Sequence, residues 1–277
     1  MSGGIIVSLI APHPPRIAFE ERAPAFQREM IAGSRALGEV LRALKPDLVV
    51  VKSTHWVTSF NWYATCQDPH HGHCVADEAP DLISGLPYHR RGDPAFARAL
   101  VAKVAGAGLP CFPNESPYFE WDYASLVPLL HLDPAAVLPV VLIPTCLSAD
   151  FEECLAVGRL VHDTAKAAGK RVAMLASSAL SHKIVRGPEK WPSDEHRALD
   201  ARLLAILQAG AVGEAIDWLP DYTKGAVAEM GGRVLTVMLG TLDALAREGK
   251  QLAGVQYGPY AQSSGSGNAN LAILPAI

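Results

Sequence analysis

The sequence lacks the features that mark several large classes of protein. It has no long basic run: 24 Lys and Arg stand against 28 Asp and Glu, for a formal net charge of −4, and the arginines are scattered. A nucleic-acid binder needs a basic patch to neutralise phosphates, so no nucleic-acid partner is expected. No stretch approaches the ~20 continuous apolar residues that span a bilayer, so no membrane partner is expected either. The opening Met1-Ser2-Gly3-Gly4 has no charged leader, and the apolar run 5–11 is too short and too β-branched for a secretion signal. A cytoplasmic protein is the expectation. Cysteine is sparse: Cys66, Cys74, Cys111, Cys146 and Cys154 are odd in number and include no CxxC pair. Free thiols in a reducing compartment fit that pattern better than disulfides or a thiolate zinc site. There is also no internal repeat and no linker that marks a domain cut.

What the chain does contain is apolar residues, 49% of 277, ample for one large core. Short β-branched runs alternate with amphipathic stretches. Residues 4–10 read as a strand. Residues 24–44 read as a helix with Phe26, Met30, Leu37, Val40, Leu41 and Leu44 on one side, ended by Lys45-Pro46. The run 47–52 reads as a strand buried on both faces, and this β-α-β order implies a parallel pair. Further on, 60–65 suggests a short strand and 67–92 a loop. Asp93 as cap and Pro94 at the first position open a helix to residue 106. Residues 114–122 look irregular, 123–131 helical, 137–143 a strand, 150–168 a helix and 171–177 a strand. Helices are predicted over 194–208, 211–219 and 226–247, the last with Gly231-Gly232 inside it. Strands near 254–257 and 270–274 flank a Ser/Gly turn at 263–267. The alternation predicts one α/β domain over residues 1–277, with a central mixed, largely parallel sheet flanked by helices.

Two histidines stand out by position. His13 follows the strand 4–10 and is held among prolines; His55 follows the strand 47–52. Ligands of open α/β sheets bind at the carboxyl ends of strands. Either histidine alone is explained by capping a turn, but two at equivalent strand ends form the nucleus of a metal site. His182 follows the strand 171–177 in the same relation, as a ligand or as an acid/base. The missing carboxylate is sought in Glu229, which sits among small and apolar residues where charge is costly. The plainer reading of Glu229 is an acid at a helix N-terminus. Two histidines and a carboxylate suit Fe(II) with open positions, and they also suit a hydrolytic zinc site. Tyr123 is either a buried aromatic or a phenol aimed at a pocket. His70, His71 and His73 look like a cluster, but neighbours in an extended loop cannot easily reach one ion. The run 263–267 lacks the strand and helix of a phosphate loop and is read as a turn. His89, Arg90, Arg91 and Trp191 are candidates to contact a substrate substituent, although a solvated surface explains the arginines equally well.

Several motifs, in this order, carry a family resemblance. They are Ala11-Pro12-His13-Pro14-Pro15, Ser53-Thr54-His55-Trp56, the segment from Asp122-Tyr123 to Pro128, the segment from Leu175 to Ser181-His182, Leu219-Pro220-Asp221-Tyr222 with Ala228-Glu229, and the segment from Ser263 to Asn270. Together they resemble the class III extradiol ring-cleavage dioxygenases over nearly the whole chain. The likeness leans to the branch acting on dihydroxyphenylacetate and aminophenol rings. Tyr123 stands where the protocatechuate-type members have histidine. The resemblance implies Fe(II) held by His13, His55 and Glu229, with His182 as acid/base and Tyr123 hydrogen-bonding the substrate. It implies a small aromatic ortho-diol or ortho-aminophenol and O2 as substrates, with a semialdehyde-type product. Cleavage of a dihydroxypyridine differs only in the ring, and a MEMO-type relative would use a similar pocket for binding alone. A homo-oligomer is expected, or an assembly with a related second subunit.

Overall fold

The β-branched runs build the centre of the molecule. The computed structural model of the chain describes residues 3–276. In chain order they form β1 (Gly4–Ala11), α1 (Ala25–Leu44), β2 (Leu48–Thr58), β3 (Trp62–Thr65), β4 (His70–His73), β5 (Pro87–Arg90), α2 (Pro94–Gly106) and β6 (Cys111–Asn114). Then come α3 (Tyr123–Leu132), β7 (Val140–Cys146), α4 (Phe151–Ala167), β8 (Arg171–Ser177), α5 (Asp194–Gln208) and α6 (Val212–Gly225). A 3-10 turn (Glu229–Gly232) leads into α7 (Arg233–Arg247), followed by β9 (Leu252–Gln256), β10 (Ala261–Ser263), β11 (Ser266–Asn268) and β12 (Leu271–Pro275).

Six strands make the main sheet in the order β7-β2-β8-β1-β12-β9. The first four are parallel, and β12 runs antiparallel to both β1 and β9. The mixed, largely parallel α/β sheet expected from the sequence is therefore present. The four parallel strands are buried on both faces along most of their length, which is why they read as continuous apolar runs. Leu48 and Val50 of β2 face one core and Val49 and Val51 the other. α1 and α3 cover the second face; α2, α4, α5, α6 and α7 cover the first. The helices that follow β1 and β7 thus lie on opposite faces, which leaves a crevice at the carboxyl ends of the strands between. All five thiols are free and buried. Among the described residues no helix is long and apolar enough to cross a membrane.

Two expectations fail. Residues 67–92 are not simply loop: β4 and β5 form a hairpin in which His70 pairs with Arg90 and His71 with His89. Histidine and glycine hid the alternation that would have signalled strands. Residues 226–247 are not one helix. Val227, Met230 and Gly231 take left-handed backbone angles (φ 50, 47 and 59), so the chain kinks before α7 begins. The helical period read through the kink because Gly231 and Gly232 cost a helix only ~1 kcal/mol each, too little to mark a break by themselves. α6 also runs past Pro220 to Gly225, held by the fully buried Tyr222.

α4 and α7 cross with their backbones in near contact at Gly158 and Gly240. A Cβ on Gly240 would lie 2.2 Å from the Leu155 carbonyl oxygen, and one on Gly158 would lie 2.0 Å from that of Val237. Both obstacles are backbone, so the helices must separate to admit a methyl. Gly240→Ala is expected to lower the free energy of unfolding by ~1–3 kcal/mol, the range for overpacked cores. Urea denaturation checks it, and an unchanged midpoint would mean the crossing is not tight.

Candidate metal centre

Three neighbouring parallel strands deliver the site. β8 lies between β2 and β1, and the chain leaves all three at one edge of the sheet. His13 comes two residues after β1, where Pro14 and a 3-10 turn over Pro15–Ala18 stop the strand. His55 is not beyond the end of β2, as its sequence suggests. It lies within the strand: Lys52 pairs with Ile143 and Val57 with Thr145, so residues 53–56 bulge out of the ladder. A bulge re-aims side chains, and here it turns His55 toward the crevice. The Ser53 hydroxyl secures the bulge by accepting from the backbone N–H of His55 (3.2 Å) and Trp56 (3.3 Å), and it donates to the Asp122 carboxylate (2.9 Å). Asp122 also caps α3 through the Ser125 N–H. Tyr123 begins that helix, so one carboxylate sets the placement of both His55 and Tyr123.

The ligand atoms of His13, His55 and Glu229 lie within 4.8 Å of one another. His13 is buried. Ser177 Oγ donates its proton to the Ala124 carbonyl (2.6 Å), so at 3.0 Å it accepts from His13 Nδ1–H. The proton of a neutral His13 is thereby placed on Nδ1, and Nε2 carries the lone pair. That lone pair lies 3.4 Å from Glu229 Oε1. Two acceptors facing each other repel unless a cation or a proton sits between them.

Glu229 reaches this position because the kink turns it inward from Ala228, whose φ and ψ are extended. Its Oε2 accepts from the Ala179 N–H (2.7 Å) and from Ser178 Oγ (3.2 Å). Oε1 is buried and receives no hydrogen bond among the described residues, although His182 Nε2 is 3.0 Å away. Burial pushes this carboxyl up, but positive charge on the imidazole side, at His13 first and then at His182 and His55, holds it well below the usual carboxylate range; a cation bound between neutral imidazoles and the carboxylate would act in the same direction. An ionised, buried carboxylate oxygen with no donor is expensive to maintain. A bound cation removes that cost, so the donor set fits a metal ion: two imidazoles and one carboxylate, aimed at one point.

His55 donates from Nδ1 to Glu78 Oε1 at 2.9 Å. A carboxylate behind a histidine fixes the ring's tautomer and orientation, as it does behind metal-bound histidines. Burial, then the neighbouring His13, lower the pKa of His55 and favour its neutral, ligating form. The Tyr123 hydroxyl is 2.7 Å from His55 Nε2. The two rings overlap, with centroids 4.3 Å apart and 32° between their planes. That is too close for a hydroxyl held along the in-plane lone pair, which stays free. Burial and the Glu78 carboxylate raise the pKa of Tyr123, so at neutral pH it is a phenol with a proton to donate.

His182 lies 3.0 Å from Glu229 through Nε2, and its side chain is 31% exposed. Its segment is held from behind by Asp200, which is fully buried. Asp200 accepts from the Ser181 N–H (3.0 Å), Ser181 Oγ (2.6 Å), the Tyr222 hydroxyl (2.8 Å) and the Tyr260 hydroxyl (2.5 Å). All five residues singled out from the sequence therefore meet at one cavity of about 440 Å³.

The other candidates lie elsewhere. His70 is a buried structural residue with Nε2 3.1 Å from the Val140 carbonyl, and it joins no metal cluster among the described residues. Arg90 is buried against Asp133 (2.9 Å), and Arg91 makes a bidentate pair with Asp68 (3.0 Å). His89 is exposed, and Trp191 stacks on Tyr260. None of these four lines the cavity, which corrects their assignment as substrate contacts. The 263–267 segment is a turn, between β10 and β11, yet Ser263, Ser264 and Ser266 do line the cavity. Sequence reasoning missed Glu78, Ser177 and Asp200. Ser177 and Ser181 lie inside a motif that could have flagged them; Glu78 carries no local signal.

Comparisons with known proteins agree with this architecture. The solved structure of an uncharacterized protein from Escherichia coli K12 superposes with a TM-score of 0.66 at 18% identity, covering 96% of this chain and 99% of that one, which shows the fold. The 2-aminophenol 1,6-dioxygenase beta subunit of Pseudomonas sp is 29% identical over 260 residues, 86% of this chain and 85% of its own length. The 3,4-dihydroxyphenylacetate 2,3-dioxygenase of Escherichia coli is 23% identical over 219 residues, 76% of this chain and 79% of its own. The family model described as the catalytic LigB subunit of aromatic ring-opening dioxygenase matches residues 8–264. With His13, His55 and the buried Glu229 inside that span, the chain belongs to the LigB family of aromatic ring-opening dioxygenases.

Proposed function

We propose that this protein is an Fe(II)-dependent extradiol dioxygenase. It would cleave a catecholic or ortho-aminophenol ring beside the two ortho heteroatoms and release a semialdehyde-type product. The observation that carries the reading is the buried Oε1 of Glu229, which receives no hydrogen bond among the described residues and faces the imidazoles of His13 and His182. His13, His55 and Glu229 would hold the metal; this donor set is the facial one typical of non-haem Fe(II). Iron bound there supplies the redox chemistry that joins dioxygen to the ring. The rest falls to the chain. Ser177 and Glu78 hold the two imidazoles in the tautomers that present Nε2. His182, partly exposed to the cavity, takes a proton on Nε2 from the incoming hydroxyl and returns it as the ring opens. The Tyr123 phenol donates to a heteroatom of the substrate. Prolines and the β10–β11 turn shape the cavity around one ring.

The relatives named above act on an aminophenol and on a dihydroxyphenylacetate by their printed names, which frames the substrate class. An alpha subunit of the same aminophenol enzyme is 27% identical over 219 residues. A second related subunit, or a second copy of this chain, is therefore the proposed assembly partner. The direct test is metal analysis of protein purified without oxygen, then oxygen uptake on adding catechol or 2-aminophenol. Iron and uptake together are expected. Zinc with hydrolysis, or neither metal nor uptake, would overturn the reading.

A further inference from the structure

We infer that the cavity selects an aromatic ring with no acidic substituent. This deepens the ring-cleavage reading and rests on it. The chain places no lysine or arginine among the described residues that line the cavity. Its apolar lining comes from Pro14, Pro15, Leu82 and Ile184. The β10–β11 turn also lines it, and the groups of that turn are neutral. The Ser266 hydroxyl donates to the Ser263 carbonyl (2.6 Å), and the Asn268 amide donates to the Ser266 carbonyl (3.3 Å), so much of its polarity is spent internally. The imidazoles aside, the charged groups at the cavity are two carboxylates. Glu229 belongs to the metal cluster, and Glu78 stands beside it, half exposed and paired to His55.

A ring carboxylate entering this space would give up water without meeting a cation. It would also approach the negative charge of Glu78. Both effects oppose binding, because an unpaired charge is costly to desolvate and like charges repel. The nearest cations along the chain do not line the cavity. Arg16 next to Pro15, and Lys183 and Arg186 close to Ile184, are exposed and outside the lining, and Arg90 and Arg91 are committed to Asp133 and Asp68. A methyl or similar neutral group has the apolar lining to pack on. The cavity's volume of about 440 Å³ accommodates one ring with a small substituent.

The test compares 4-methylcatechol with 3,4-dihydroxybenzoate and 3,4-dihydroxyphenylacetate on the iron-loaded protein. Dissociation constants are measured by calorimetry without oxygen, and kcat/KM by oxygen uptake. The neutral ring is expected to be favoured at least ~10-fold on both measures. Ile184→Arg, which adds one cation at the rim, is expected to narrow that ratio, as is Glu78→Gln; the ratio is read because Glu78 also supports His55. Equal or tighter binding of the acids, or a ratio that neither variant moves, overturns the inference while leaving ring cleavage in place. If no ring binds and no oxygen is consumed, the ring-cleavage reading falls and this inference falls with it.

Discussion

Glu229→Gln is expected to empty the metal site while the protein remains folded. The substitution keeps volume and shape but removes the one negative charge of the donor set. It also removes the reason for the site: with the amide oxygen kept toward Ala179, the amide NH2 faces His13 and His182, and no ionised group there needs a cation. The anchoring side of the residue survives, since an amide oxygen still accepts from the Ala179 N–H. Loss of a partner that merely orients a ligand lowers metal affinity ~10–100-fold, and loss of the ligand itself should reach at least the upper end of that range. Iron per chain after dialysis without oxygen is the measurement, with circular dichroism to confirm the fold. A variant that retains a full complement of iron would remove Glu229 from the ligand set.

His182→Phe should do the opposite: keep the iron and lose turnover. Phenylalanine fills nearly the same volume. The backbone of residue 182 keeps its bond to the Val227 carbonyl, and Asp200 still holds Ser181. What disappears is the ring nitrogen that would take and return a proton at the cavity. A positioned acid/base contributes ~10²–10⁴-fold, so kcat should fall by at least ~100-fold. Near-native turnover with intact iron would take His182 out of the proton path. The two variants separate the roles of neighbours only 3.0 Å apart, because one is read in metal content and the other in turnover at constant metal.

Read locally, the chain reveals much of this. The strands 47–52 and 171–177 are legible because residues buried on both faces must all be apolar, whatever the neighbouring strand. The cap at Asp93 and the proline at 94 mark α2 correctly, since a helix end satisfies its first N–H groups from nearby residues. The hairpin at 70–90 was not legible. Its pairing joins His70 to Arg90 and His73 to Pro87 across a long connection, through a sequence rich in histidine, and neither end carries a periodic signal by itself.

The candidate site divides the same way. His13 could be picked out because strand ends in a parallel sheet share one edge, and that edge follows from the order of strands and helices alone; the same rule pointed to His55, although a bulge within β2, not the strand's end, aims it at the crevice. The sequence by itself determined the sheet, its polarity and the side on which imidazoles would gather. Glu229 as a buried acid was only one of two readings until the backbone was seen to kink at Met230 and Gly231. Tertiary structure alone decided the rest: which proton His13 carries, set by Ser177 more than 160 positions away in the chain; the carboxylate of Glu78 behind His55; and the fate of Arg90 and Arg91, consumed by Asp133 and Asp68. The physical reason is common to all of these. Strands and caps are encoded by neighbours in sequence, whereas the ionisation, tautomer and availability of a side chain depend on which distant group folding sets beside it.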